Sequence, residues 1–245
     1  MWIKKVSLAD LATLGNGMCG FFAIIYTLDR NFLVAYLLIL CGAMLDGLDG
    51  YLARRFPPHH NAGRILDSIS DTISFCVAPA LLLYNQFYSL ERGSAFVNLE
   101  NFLAVLSPGL IALFGMLRLI KFSTSGYRFQ VFHGLPTPAT AISAISLSLL
   151  FGPVGVLAEN YLAVLLPICI FAFLMISDIE YPKAREGVAL WVSACAGIAI
   201  FLAIVGIKFS IQMLGTACAI LSNILILFYI LVSPIILKFW RNSNG

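Results

Sequence analysis

Apolar stretches long enough to cross a bilayer recur from one end of this 245-residue chain to the other, and no other feature limits its fold so tightly. A helix rises about 1.5 Å per residue, so roughly 20 apolar residues cross a hydrocarbon core of about 30 Å. Windows near that length lie at 8–28, 32–54, 64–88, 100–121, 136–152, 160–177, 187–206 and 212–237. Lipid offers the backbone no hydrogen-bond partners, so a spanning segment must satisfy its own N–H and C=O groups. Continuous apolar windows do this as helices. The expected fold is all-α, a polytopic transmembrane helix bundle of about eight spans. Composition agrees, with 60% hydrophobic and 11% charged residues.

Lysine and arginine are divided unequally between the loops. With the N-terminus placed in the cytoplasm, Lys4, Lys5, Arg54, Arg55, Arg64, Arg118, Lys121, Arg128, Lys183, Arg185, Lys238 and Arg241 fall on the inner side. Only Arg30, Arg92 and Lys208 fall on the outer side. Basic residues collect on the cytoplasmic face of membrane proteins, so both termini are expected there. The net charge of +3 then reflects loop topology and an affinity for an anionic leaflet, with no nucleic-acid partner implied. The opening "MWIKKVSLAD" reads as the approach to a retained first helix, since no small-residue cleavage site ends the apolar run. Cys19, Cys41, Cys76, Cys169, Cys195 and Cys218 stand singly within the windows, which suits packing.

Most of the twelve carboxylates lie in loops or at helix ends, but Asp46, Asp49, Asp67 and Asp71 do not. A charged side chain deep in a bilayer costs about 3 kcal/mol or more, so intramembrane acids face polar cavities and mark function. At about 100° per residue, Asp46, Asp49, Gly50 and Ala53 share one arc of the second helix, with Arg54 at its edge. On the third helix Gly63, Asp67 and Asp71 are spaced i, i+4, i+8 and share a face. If the two helices pack antiparallel across "RFPPHHNAG", the four carboxylates converge near the cytoplasmic side.

Converging carboxylates repel one another and are driven toward protonation unless cations neutralise them. An all-oxygen set suits hard divalent ions, Mg²⁺ or Mn²⁺ first, with Ca²⁺ also compatible. Glycine and alanine on the same faces leave room for a bulky group. A phosphate-bearing substrate held between a metal pair and Arg54 accounts for the whole constellation.

Written out, the run is Asp46, two residues, Asp49-Gly50, two residues, Ala53-Arg54, eight residues, Gly63, three residues, Asp67, three residues, Asp71. It resembles the signature of the CDP-alcohol phosphotransferase family at all eight fixed positions. "TLGNGMCGFFAI" (13–24), "LRLIKFS" (117–123), "FHGLPTPATA" (132–141) and "MISDIEYPK" (175–183) resemble the corresponding stretches of the membrane-integral phosphatidylserine synthase subfamily. One departure is that Ile120, Lys121, Phe122 and Ser123 stand where the subfamily pattern leads us to expect Ala-Arg-Phe-Asn.

The resemblance implies a six-helix core over residues 1–185 and a two-helix extension over 186–245. It also implies transfer of a phosphatidyl or archaetidyl group from CDP-diacylglycerol or CDP-archaeol to L-serine, with release of CMP and divalent metal required. By the same resemblance, Asp46, Asp49, Asp67 and Asp71 are metal ligands and Asp71 is also the general base. Thr13, Asn16, Gly50, Ala53, Arg54 and Gly63 contact the CDP-lipid, and Arg118 and Lys121 meet the acceptor. Relatives of this kind imply a homodimer among membrane lipids.

Blander roles stand beside these. The four aspartates also suit a divalent-cation transporter, and inositol phosphate or glycerol phosphate are alternative acceptors. Arg118 and Lys121 at a helix end also suit positive-inside anchoring. His59 and His60 read as solvated loop residues, Asp178 and Glu180 as solvated boundary residues, and "GLPTPA" as a helix start stiffened by prolines. Gly15, Gly17 and Gly20 would let neighbouring helices approach the first one closely.

Overall fold

The computed structural model describes residues 7–55, 62–93, 98–124, 132–181 and 187–243. His59 and His60 lie outside them. The described chain is all-α apart from one two-residue strand pair. Its helices are α1 (Leu8–Leu28), α2 (Phe32–Arg55), α3 (Ala62–Asp71), α4 (Ala78–Phe87), α5 (Leu99–Thr124), α6 (Thr137–Phe151), α7 (Tyr161–Ile176), α8 (Gly187–Lys208) and α9 (Gln212–Ser243). The strands are β1 (Phe132–His133) and β2 (Glu180–Tyr181), antiparallel, with Phe132 opposite Tyr181.

Each expected window carries helix, with two differences. Among the described residues, six helical segments are long and apolar enough to cross a membrane, whereas α6 and α7 have only 15 and 16 residues. At 1.5 Å per residue these two reach roughly 22–24 Å, short of a core of about 30 Å. Pro136 caps the start of α6, Pro138 stands in its first turn, and Gly152 ends it. The second difference lies in the third span, which is not one regular helix. A π-helical turn, Thr72–Val77, joins α3 to α4 immediately after Asp71. Pro79 stands just beyond it. Proline brings no N–H and its ring crowds the carbonyl four residues back, and the wider π turn, in which the Ala78 N–H reaches the Ile73 carbonyl, relieves that conflict.

Local chemistry sets the hairpins. Ser7 and Asp10 form a reciprocal capping box at the start of α1, Asp10 N–H donating to Ser7 Oγ and Ser7 N–H to Asp10 Oδ2. Beyond its end, Arg30 turns through φ 59° and its guanidinium donates to the Asn85 carbonyl at 3.0 Å. The tight turn thereby ties the α1–α2 hairpin to the end of α4. The α8–α9 turn repeats the device at Ser210, φ 58°.

The surface confirms the solvent. Phe21, Phe201, Ile224 and Leu231 are exposed, as expected of lipid-facing side chains. Polar groups turn inward instead. Ser146 and Ser222 hydroxyls lie 2.7 Å apart, and Asn223 Nδ2 donates to the Ser146 carbonyl, joining α9 to α6. Between apolar helices in lipid, such buried hydrogen bonds specify which faces meet.

Candidate active site

The carboxylates converge, though not as direct packing of α2 on α3 would arrange them. α1 packs along both α2 and α3, and those two helices make little contact with each other among the described residues. Carboxylate oxygens of Asp46, Asp49 and Asp67 nonetheless lie within 4.8 Å of one another. Asp49 is buried, Asp46 and Asp67 are half-buried, and Asp71, one turn beyond Asp67, is buried within electrostatic range of all three.

α1 holds two of these acids by their oxygens. Thr13 Oγ1 lies 2.9 Å from Asp49 Oδ2 and 3.0 Å from the Ala9 carbonyl, with one proton to donate between them. Asn16 Nδ2 donates to Asp71 Oδ1 at 3.0 Å. The Asn16 carbonyl accepts from Ser74 Oγ at 2.8 Å, which anchors the π turn beside Asp71 to the same residue. Asn16 is fully buried, and its Oδ1 has no hydrogen-bond partner among the described residues.

Close approach makes these contacts reachable. A Cβ on Gly20 would lie 2.6 Å from Ser74 Cα, so only glycine lets α1 rest against the π turn at that level. One turn earlier, Gly17 faces Ser70 in the same way. These glycines therefore set the distance between Asn16 and Asp71 as well as packing the helices.

The other residues expected to contact the CDP-lipid differ in burial. Gly50, Ala53 and Gly63 are half-buried and Arg54 is exposed. Asp10, occupied in its capping box, stands beside Gly63, where an added Cβ would lie 3.3 Å from Asp10 Oδ1. Sequence reasoning named neither Asp10 nor the π turn. Ser7-x-x-Asp10 was a readable cap, but nothing local in the sequence marks its proximity to Gly63.

Arg118 and Lys121 part company. Arg118, on α5, is buried and interacts electrostatically with Asp71 and Asp46. Lys121 is exposed and pairs with Asp178 at 3.5 Å, outside the acid cluster. Asp178 is solvated as expected, yet it is also this lysine's partner. A cleft of about 770 Å³ between α7, β2 and α9 is lined by Leu174, Asp178, Glu180, Tyr181, Ile230 and Leu231 and by none of Asp46, Asp49, Asp67 and Asp71.

Three hard carboxylate ligands so close together suit a divalent ion and repel one another without it. The family model described as CDP-alcohol phosphatidyltransferase matches residues 6–175, more than half of the chain and all four aspartates. The chain belongs to this CDP-alcohol phosphotransferase family. The family uses a divalent metal, and the enzyme is accordingly a membrane-integral transferase of phospholipid synthesis.

Named relatives follow. A CDP-diacylglycerol–serine O-phosphatidyltransferase of Methanocaldococcus jannaschii is 36% identical over 217 residues, 89% of this chain and 92% of the relative. An archaetidylserine synthase of Methanothermobacter thermautotrophicus is 34% identical, covering 73% of this chain and 70% of the relative. A CDP-diacylglycerol–serine O-phosphatidyltransferase of Bacillus subtilis is 31% identical, covering 73% of this chain and 92% of the relative. The family match ends inside α7, so α8 and α9 lie beyond the common phosphotransferase domain.

Proposed function

We propose that this phosphotransferase moves a phosphatidyl or archaetidyl group from a CDP-linked lipid to the hydroxyl of L-serine and releases CMP. The observation that carries the reading is the convergence of Asp46, Asp49 and Asp67 beside Asp71, which Asn16 holds in place. All three relatives described above are named for serine products or serine transfer, which supports serine as acceptor. The names differ in the lipid, so CDP-diacylglycerol and CDP-archaeol are both candidate donors.

In the reaction, the serine oxygen forms a bond to the phosphorus next to the lipid glycerol. The bond from that phosphorus to the bridging pyrophosphate oxygen breaks, and its electron pair leaves with CMP. The serine proton passes to Asp71, whose Oδ1 is held by the Asn16 amide. Asp46, Asp49, Asp67 and Asp71 would hold the metal, Mg²⁺ or Mn²⁺ in preference to Ca²⁺. When bound, the ions neutralise the carboxylates and stabilise charge developing on the phosphoryl oxygens and the departing CMP. Arg54, exposed at the end of α2, meets the pyrophosphate, and Gly50, Ala53 and Gly63 leave it room. Arg118 meets the serine carboxylate, whereas Lys121, engaged by Asp178 at the surface, steers acceptors electrostatically.

The basic majority puts the acid cluster and both termini on the cytoplasmic side, where soluble serine is available. The working unit in the membrane is a homodimer. The deciding experiment incubates the purified protein with Mg²⁺ or Mn²⁺, each CDP-lipid, and radiolabelled serine, inositol phosphate or glycerol phosphate in parallel. Serine-dependent CMP release is expected. Faster transfer to a phosphorylated alcohol would reassign the acceptor, and absence of CMP release with every acceptor would favour a divalent-cation transporter.

A further inference from the structure

Arg118 has a second neighbour that the common domain does not contain. Tyr229, on α9, is buried and interacts electrostatically with the Arg118 guanidinium. Its ring stands against Tyr181 of β2, centroids 6.1 Å apart and planes tilted by 31°. Tyr181 is itself buried and fixed by backbone, because β2 pairs with β1 and the next residue, Gly134, donates to the Ile179 carbonyl at 2.9 Å. Gly134 has φ 79°, and a Cβ there would sit 2.2 Å from the Met175 carbonyl oxygen, so only glycine fits this close approach to the end of α7. α9 is held from the other side by the Ser146–Ser222 and Asn223 hydrogen bonds to α6. Two independent attachments thus fix the Tyr229 ring and its helix within electrostatic range of the buried Arg118 guanidinium.

We infer that Tyr229 determines acceptor specificity, its hydroxyl joining the Arg118 guanidinium in binding the carboxylate of the incoming amino-acid alcohol. The inference rests on the proposed assignment of the acceptor to the Arg118 side of the cluster. A phenol suits this task because it donates one hydrogen bond to an anion while adding no charge beside the metal-binding acids. Apolar helices around it exclude water, so the hydrogen bond it offers to a carboxylate is not diluted by competing solvent. A phosphate dianion would be matched better by a second cation than by a phenol, so this arrangement favours a carboxylate over the phosphorylated alcohols. α8 and α9, outside the family domain, then have a definite task in selecting the acceptor.

The test is Tyr229→Phe, which removes the hydroxyl and keeps the ring against Tyr181. A hydrogen bond to a charged group contributes about 1.5–3 kcal/mol, so the serine KM should rise about tenfold or more, with the KM for CDP-lipid unchanged. The unchanged donor KM shows that the variant is folded. A role confined to packing would leave the serine KM within about twofold of the parent, and that result would overturn the inference. The parent enzyme is assayed with all three acceptors first, which separates the two hypotheses. If a phosphorylated alcohol is the better substrate, the serine assignment fails and the KM of that substrate decides for Tyr229. A tenfold rise there would keep Tyr229 in the acceptor site but overturn its selectivity for a carboxylate, and no rise would remove it altogether.

Discussion

Asn16 donates a hydrogen bond from its side-chain amide to Asp71 Oδ1 at 3.0 Å, and its backbone carbonyl accepts from Ser74 in the π turn that follows Asp71. One buried residue of α1 therefore fixes both the carboxylate and the backbone distortion behind it. An amide donor adds no charge of its own and restricts the rotation of the carboxylate, so both oxygens keep fixed directions. The same helix sets Asp49 through Thr13. In the membrane interior, where water cannot reorient a misplaced acid, such positioning has to be built from side chains.

Asn16→Ala separates this role from contact with the nucleotide. If the amide mainly orients Asp71, kcat should fall by about one to two orders of magnitude while the KM for CDP-lipid holds. A change confined to that KM would make Asn16 a nucleotide contact instead. Steady-state rates at saturating serine with varied CDP-lipid decide between the two.

Asp71→Asn should abolish turnover and leave CDP-lipid binding largely intact, since a general base acts in the transition state. Asp46→Asn or Asp49→Asn should weaken the metal-dependent binding of nucleotide itself. Titration of CMP binding against Mg²⁺ distinguishes the classes, and near-normal CMP release by Asp71→Asn would remove Asp71 from the mechanism.

How much of this was legible in the sequence depended on the range of the interaction. Apolar length and the spacing of Asp46, Asp49, Asp67 and Asp71 are local properties, and they placed both the spans and the acids. That α1 lies along both α2 and α3 is not local. Thr13 and Asn16 could be assigned to the site by resemblance, but only packing shows that they face Asp49 and Asp71. The π turn was hidden because the residues of Thr72–Val77 fit an ordinary helix and the conflict arises at Pro79, beyond it. Arg118 and Lys121, one turn apart, look equivalent in sequence. A burial difference and the Asp178 pair distinguish them in the structure.

Gly20→Ala tests the close approach on which the Asn16 contacts depend. Its Cβ would press on backbone at Ser74, which cannot swing aside like a side-chain end. Overpacking of this kind costs about 1–3 kcal/mol, so the variant should melt earlier in detergent and lose activity with it. Gly109→Ala is the matched control, because nothing lies within 4 Å of a Cβ there. Relief of the glycine penalty in a helix should leave it as stable as the parent or more stable by about 0.5–1 kcal/mol. Equal melting of the two variants would show that α1 has room to move.

Orientation can be read at Asp178, whose side chain is 92% exposed. A cysteine placed there, in a protein with its six native cysteines replaced, should react with an impermeant maleimide only from the cytoplasmic side. Reaction from the opposite side would invert the topology and remove cytoplasmic serine from reach of the acid cluster.

Arg118 carries the sharpest consequence for the acceptor. It is a buried guanidinium on α5 within electrostatic range of Asp71 and Asp46, so an anionic group bound against it lies close to the candidate base. Serine binds as a zwitterion, and its hydroxyl must point at phosphorus while its carboxylate is held elsewhere; a planar fork of donors achieves that orientation better than a point charge. Arg118→Ala should therefore raise the serine KM by about two orders of magnitude or more with little effect on the KM for CDP-lipid. Arg118→Lys should recover only part of the loss, because the ammonium keeps the charge but not the bidentate geometry. Full recovery by lysine would mean that charge alone is required there. An unchanged serine KM in Arg118→Ala, with the donor KM raised instead, would move Arg118 to the nucleotide side and leave the serine carboxylate to another residue.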